Sequence, residues 1–324
     1  MDKVIWIAWE RHRRTEQIVK FLGIKAYLFE SKMPRVIKHP LFLIRTFTVL
    51  FKNNPKVLIV QNPSLILSGF ACFLKVIKMF SFRLIIDAHN AGVVSPRKGV
   101  IILERFFVFL HKTADLTIVT NLYLSETIKK SGGASFILSD KIPEIEKVED
   151  RSLKGKFNFV CICTFSIDEP YREIIEAALS LSPEDMLYVT GNFRNAPPEF
   201  LSGLPNNIVL TGYLEEPEYW SYLKCADCII DLTFRDNCLV CGAYEAVSVG
   251  TPVILSDRKI LREIFYKGAI FTENDSESMK IAMQEVKSHW QELSYEINVF
   301  RDEYIRTWEK RGDALRDEIK RMVR

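Results

Sequence analysis

Asp87, His89 and Asn90 fall within Asp87-Ala88-His89-Asn90-Ala91-Gly92, directly after the apolar run Leu84–Ile86. A histidine close to a carboxylate forms an acid/base pair, with a pKa that small changes of environment move across neutrality. Asp87 and His89 are the candidate catalytic pair. A second constellation runs from Asn237 to Asp257. Tyr244–Val249 reads as a helix closed by Gly250, and Thr251-Pro252 cannot continue it and lead into the strand Val253–Leu255. The loop Asn237–Gly242 meets the start of that helix, where free N–H groups and the positive dipole end suit a diphosphate. Arg235, Asn237, Cys241 and Gly242 would surround the phosphates, and Glu245 would accept hydrogen bonds from a ribose. The same segment also reads as an ordinary helix-to-strand unit of an α/β core.

Strand-like apolar runs alternate with helix-length segments along the whole chain. The first half offers Val4–Ala8, Ala26–Phe29, Val57–Val60, Leu84–Ile86, Leu116–Val119 and Ser135–Leu138. The second offers Phe159–Cys163, Met186–Thr190, Ile208–Leu210, Cys228–Leu232, Val253–Leu255 and Ala269–Phe271. The pattern predicts an α/β protein with two Rossmann-like, doubly wound parallel sheets. A charged stretch without apolar periodicity, 140–158, reads as the linker, with the boundary near Lys147–Lys156. Expected are a first domain over 1–150, a second over 151–302, and a last helix, 303–324, with Tyr304, Trp308, Leu315 and Ile319 at near-helical spacing. Ligands of such sheets bind beyond the carboxyl ends of the strands. The candidates there are Arg11, His12 and Arg13 after the first strand, Asn62 in Gln61-Asn62-Pro63 after the third, Asn90 after the fourth and Asn121 after the fifth. Thr164 and Ser166 follow the first strand of the second half.

The net charge of +3 hides an asymmetry. Residues 1–150 hold 23 Lys and Arg against 13 Asp and Glu, and the remainder 21 against 28. A basic half suggests an anionic partner. Met33–Phe51 and Val76–Phe82 mix Arg and Lys with large apolar side chains, which suits a monotopic contact with anionic lipid, or else a core-facing helix with a basic edge. No run reaches the ~20 apolar residues of a membrane span. No secretory pattern precedes Val4, so the expected location is cytoplasmic, at the inner face of the membrane. Seven cysteines include Cys225/Cys228 and Cys238/Cys241. A strand between the pairs, at ~3.3 Å per residue, would separate them too far to share a zinc. No metal, no further cofactor and no nucleic-acid partner is expected.

Two doubly wound domains, a helix-Gly-Thr-Pro-strand element carrying Glu245, and a last helix returning to the first domain resemble the GT-B glycosyltransferases, family 4 and its relatives in particular. Val60–Pro63, Ile86–Gly92, Val119–Asn121 and Asp140–Pro143 are similar to the β-mannosyltransferase that elongates chitobiosyl-diphosphodolichol. The resemblance implies two domains facing across a cleft. It implies a GDP- or UDP-sugar donor on the second domain and a polyprenyl-diphosphate-linked glycan acceptor on the first. It also implies metal-independent transfer in glycoconjugate or polysaccharide synthesis. There are departures: family 4 retaining enzymes carry a Glu eight residues before the helical one, where this chain has Asn237. The Gly-rich loop after the first strand is replaced by Trp9–Arg14, and the basic diphosphate clamp is missing from 164–170. A GT-B sugar-nucleotide 2-epimerase and a non-catalytic partner subunit are the alternatives.

Overall fold

The computed structural model describes residues 2–62, 64–95, 99–145, 148–197 and 203–324. Pro63 and Lys147, named above, lie outside them. The chain divides into two compact units, one ending at Lys141 and completed by Thr307–Arg324, the other Ile142–Arg306.

In the first unit the strands are β1 (Val4–Ala8), β2 (Lys25–Leu28), β3 (Val57–Asn62), β4 (Arg83–Ala88), β5 (Leu116–Val119) and β6 (Ser135–Ile137). They form one sheet in the order β2-β1-β3-β4-β5-β6, every pairing parallel. β1, β3 and β5 are buried along their whole length, as continuous apolar runs covered on both faces must be. The connections are α1 (Arg13–Leu22), α2 (Arg35–Asn53), α3 (Leu65–Val76), the single turn α4 (Asn90–Val93), α5 (Ile101–Thr113) and α6 (Leu122–Lys130). The strand order reverses between β1 and β3, which sets the binding crevice at the carboxyl ends of those two strands.

The second unit repeats the plan. β7 (Asn158–Cys161), β8 (Met186–Thr190), β9 (Ile208–Gly212), β10 (Cys228–Asp231), β11 (Val253–Ser256) and β12 (Ala269–Thr272) form a parallel sheet in the order β12-β11-β10-β7-β8-β9. Its helices are α7 (Tyr171–Ala178), α8 (Glu216–Cys225), α9 (Cys241–Val249), α10 (Lys259–Ile264), α11 (Ser276–Ser288) and α12 (Trp290–Val323). The order reverses between β7 and β10. Gly250 caps α9 in the left-handed conformation (φ 78°), with its N–H bonded to the Ala246 carbonyl at 2.9 Å.

All twelve expected strands form, with ends differing by one or two residues. The units divide earlier than the 150/151 boundary, because Ile142 is buried in the second unit's core and Ile145, Val148 and Leu153 pack against it. The last helix starts at Trp290 and runs unbroken. Its first half lends Ile297 and Phe300 to the second unit's core; from Thr307 it belongs to the first unit. There Trp308 packs edge-on against Phe21 at 4.9 Å and donates its indole N–H to the Ser139 carbonyl at 2.8 Å.

Candidate functional site

The crevice of the first unit is organised by a side chain outside the expected set. Arg14, in the first turn of α1, is 2% exposed. Its Nε lies 3.0 Å and 3.3 Å from the two Asp87 oxygens, its Nη2 3.0 Å from Asp87 Oδ1, and its Nη1 2.8 Å from Asp140 Oδ1. One guanidinium therefore ties the ends of β4 and β6 to the start of α1. Burial alone would discharge Arg14, but the charges of Asp87 and Asp140 outweigh it and hold the cation firmly protonated. Burial likewise opposes ionisation of Asp140, yet the Arg14 charge keeps its pKa below the usual carboxylate value. Asp87 is fully buried, and both its oxygens accept from Arg14.

His89 follows β4 and caps α4. Its Nε2 is buried and has no hydrogen-bond partner among the described residues. Burial first, then the Arg14 charge, pushes its pKa below the ordinary histidine value, although Asp87 and Asp140 pull the other way. The imidazole is therefore neutral at pH 7 and able to accept a proton. The exposed ring of His12 lies 4.7 Å from it. Asn62 donates its Nδ2 to the Gly92 carbonyl at 2.9 Å, while its buried Oδ1 has no partner among the described residues. Gly92 is required here, since a Cβ would stand 2.7 Å from the Asn62 side chain.

The other expected acceptor residues separate. Arg11 is exposed and paired with Glu16 at 2.6 Å, and Arg13 is exposed. Asn90 is half-buried beside His89. Asn121 is buried as the N-cap of α6, accepting from the Leu124 N–H at 3.0 Å and donating to Thr120 Oγ1 at 3.2 Å.

In the second unit the crevice between β7 and β10 is acidic. Glu169 folds back onto the loop after β7. Its Oε2 accepts from the Thr164 N–H at 2.8 Å and the Ser166 N–H at 3.1 Å, and its Oε1 from Thr164 Oγ1 at 2.8 Å. Phe165, between them, has φ 58°, a conformation costly for a side chain with a Cβ. Asp231 ends β10 and accepts from the Gly242 N–H in the first turn of α9. A Cβ on Gly242 would stand 2.4 Å from Asp231 Oδ2, so only glycine permits this approach. Burial, then the nearby Glu245 charge, pushes the Asp231 carboxyl up to about 8, so it carries a proton at neutral pH. Glu245 is buried, and its Oε2 accepts from the Tyr219 hydroxyl at 2.6 Å. Arg235 is exposed and pairs with Asp168 at 2.7 Å. Asn237 and Cys241 are exposed.

Of the expected donor-site residues, Thr164 and Ser166 follow β7, while Gly242 and Glu245 lie in α9, whose first turn meets the end of β10. The N–H groups of Thr164, Ser166 and Gly242 are bonded to the chain's own carboxyl groups. Arg14, Asp140, Glu169, Asp231 and Tyr219 were not expected. Asp231 carried a signal, because a carboxylate inside the apolar run Ile229–Leu232 needs a partner once buried. Arg14 lay in a basic run whose members are indistinguishable until the helix register is known. Glu169 and Tyr219 act through tertiary contacts that their local sequence does not announce.

No protein-family model matches the chain, and no curated protein does. Solved structures match over nearly the whole length. The sucrose-phosphate synthase of Thermosynechococcus elongatus is 14% identical, with 98% of each chain covered and a TM-score of 0.76. Anabaena HepE, in complex with UDP and glucose, is 11% identical, covering 98% of this chain and 100% of that one, with a TM-score of 0.73. A putative UDP-N-acetylglucosamine 2-epimerase from Listeria monocytogenes is 13% identical, with 91% of each chain covered and a TM-score of 0.62. At such identities the likeness is one of fold: two Rossmann-like units of the GT-B type.

Proposed function

We propose that the chain is a GT-B glycosyltransferase that moves a sugar from a nucleotide-sugar donor to a glycan acceptor. The donor, a GDP- or UDP-sugar, is assigned to the crevice between β7 and β10, and the acceptor to that between β1 and β3. The acceptor is read as polyprenyl-diphosphate-linked and met at a membrane surface. Its supports are the basic first half and the motif resemblance around Asn62, His89 and Asn121. The observation that carries the reading is His89: a neutral imidazole with a buried, unpartnered Nε2 at the switch point of the first unit. In an inverting transfer, Nε2 takes the proton of the attacking hydroxyl as the bond from sugar to diphosphate breaks. Asp87 holds Arg14 and through it the geometry of the crevice; with both oxygens engaged it is a positioning residue. HepE, bound to UDP and glucose, supports the donor class.

The second unit favours one rival. Glu169 and Asp231 occupy N–H groups that a diphosphate would need, as expected of a non-catalytic partner subunit. A thermal-shift screen of UDP, GDP and their sugars decides, since a ligand at 100 Kd raises stability by about 2.7 kcal/mol. A donor that shifts the melt and is consumed only with acceptor supports the transferase. No shift with any nucleotide supports the partner subunit. Conversion of the sugar without acceptor supports an epimerase. Transfer is expected to survive excess chelator; its loss, with rescue by Mn²⁺, would remove metal independence.

A further inference from the structure

We infer that the outer face of α2, α3 and α5 is a docking surface for an anionic bilayer, held chiefly by inserted apolar side chains. These helices lie side by side: α2 packs on α3 and α3 on α5, where Phe106 nests against Gly69. Each has a core-facing stripe, such as Phe42, Thr46 and Leu50 on α2. Each also carries exposed apolar side chains away from that stripe, of which Phe47 touches Phe80 edge-on at 5.6 Å. On α2, Ile37, Ile44, Phe47 and Phe51 recur at helical spacing, with Ile44 65% and Phe51 74% exposed. On α3 these side chains are Ile66, Phe73 and Val76, with Phe73 54% exposed, and on α5 Ile102 is 83% exposed. A helix apolar on both sides belongs between two apolar media, and only one is supplied by this chain.

The flanking charge selects the occupant. The three helices carry Arg35, Lys38, Arg45, Lys52, Arg105 and Lys112 against Glu104, besides Lys75, which is paired with Asp115. A second copy docked about a two-fold axis would set these cations against their own kind. An anionic headgroup layer over a hydrocarbon interior matches both features. No described helix is long and apolar enough to cross a membrane, so the face lies on the bilayer. This deepens the lipid-linked acceptor reading and rests on it for its purpose, while the face itself stands on exposure and charge.

The test is co-sedimentation of the full chain with phosphatidylcholine vesicles containing 30% phosphatidylglycerol. The triple variant Phe51→Ser, Phe73→Ser, Ile102→Ser changes exposed positions only, and its melt is expected to match the wild type. It should lose at least tenfold in vesicle affinity. Raising salt to 0.5 M should weaken the wild type only severalfold, because the apolar part is unscreened. Ile167→Ser, Tyr213→Ser in the second unit is the exposed control and should bind as wild type. Wild type that ignores vesicles, or a triple variant that binds like wild type, overturns the proposal. So does a wild-type dimer in sedimentation equilibrium that the triple variant abolishes. Transfer to a water-soluble acceptor is assayed in parallel: its absence counts against the transferase reading and leaves the vesicle result standing.

Discussion

His89 owes its chemistry to where the chain puts it. An exposed histidine shares its nitrogens with water; here burial leaves Nε2 bare and the ring neutral. His89→Ala is expected to lower turnover ~100-fold or more with donor affinity unchanged, as loss of a general base does. Equal turnover in steady-state assays would move the base elsewhere. Asp87→Asn is expected to behave differently, because it strips half the charge from around a buried guanidinium. Breaking such a pair costs about 3–5 kcal/mol, so this variant should show a lower denaturation midpoint as well as weaker activity. A melt identical to wild type would contradict its positioning role. His111, on α5, is a separate case. It is buried, both ring nitrogens lack partners among the described residues, and burial lowers its pKa from 6.5 to about 4. The unfolded chain therefore binds the proton first. Stability is full above pH 6.5 and falls by about 3 kcal/mol as the pH drops to 4. His111→Phe should flatten that part of the pH–stability curve, and an unchanged slope in urea titrations would rule it out.

The N–H groups of the loop after β7 and of the start of α9, proposed above to meet a diphosphate, are filled by the chain's own carboxyl groups. A diphosphate entering there must displace Glu169 and tolerate Asp231. Glu169→Gln is accordingly expected to tighten UDP or GDP binding about tenfold, since an amide competes less well for the Thr164 and Ser166 N–H groups. Calorimetry showing equal or weaker binding would refute this. Asp231 adds a pH dependence. As pH rises through about 8 it loses its proton, a negative charge appears beside the phosphates, and affinity should fall between pH 7 and pH 9. Asp231→Asn should abolish that fall; a profile that rises with pH would put the phosphates elsewhere. Both elements were legible in outline, for Gly250, Thr251 and Pro252 mark the end of α9 whatever surrounds them. The carboxyl groups that fill them were not, because Glu169 and Asp231 become neighbours of N–H groups only once strand and helix are packed.

The last helix ties its two halves to different cores. Trp308, Leu315 and Ile319 are buried in the first unit, to which the helix contributes Thr307–Arg324. Trp308→Ala is expected to cost about 3–5 kcal/mol, the range for removing a large buried aromatic ring. The loss should fall on the first unit, read by hydrogen exchange in β1 and α1 against β7 and β10. Equal loss of protection in both units would mean that the helix is not a member of the first core.

Periodicity and punctuation by themselves determined the twelve strands, the two parallel sheets and the helices between them. Those depend on local burial pattern and on Gly and Pro, which act over a few residues. The strand ends that meet each switch point were also readable, and His89, Asn62, Gly242 and Glu245 lie at them. Tertiary structure alone decided which polar atoms are engaged. Arg14 joins Asp87 across 73 residues of chain and Asp140 across 126, and Tyr219 reaches Glu245 across 26. Such pairings are chosen by the geometry of packed layers, because a buried charge takes whatever counter-charge the fold brings within about 3 Å. The same holds for the outer face of α2, α3 and α5. Sequence marked α2 within Met33–Phe51 and the end of α3 at Val76, but not α5, and only the packed layer shows which side of each helix the core leaves uncovered.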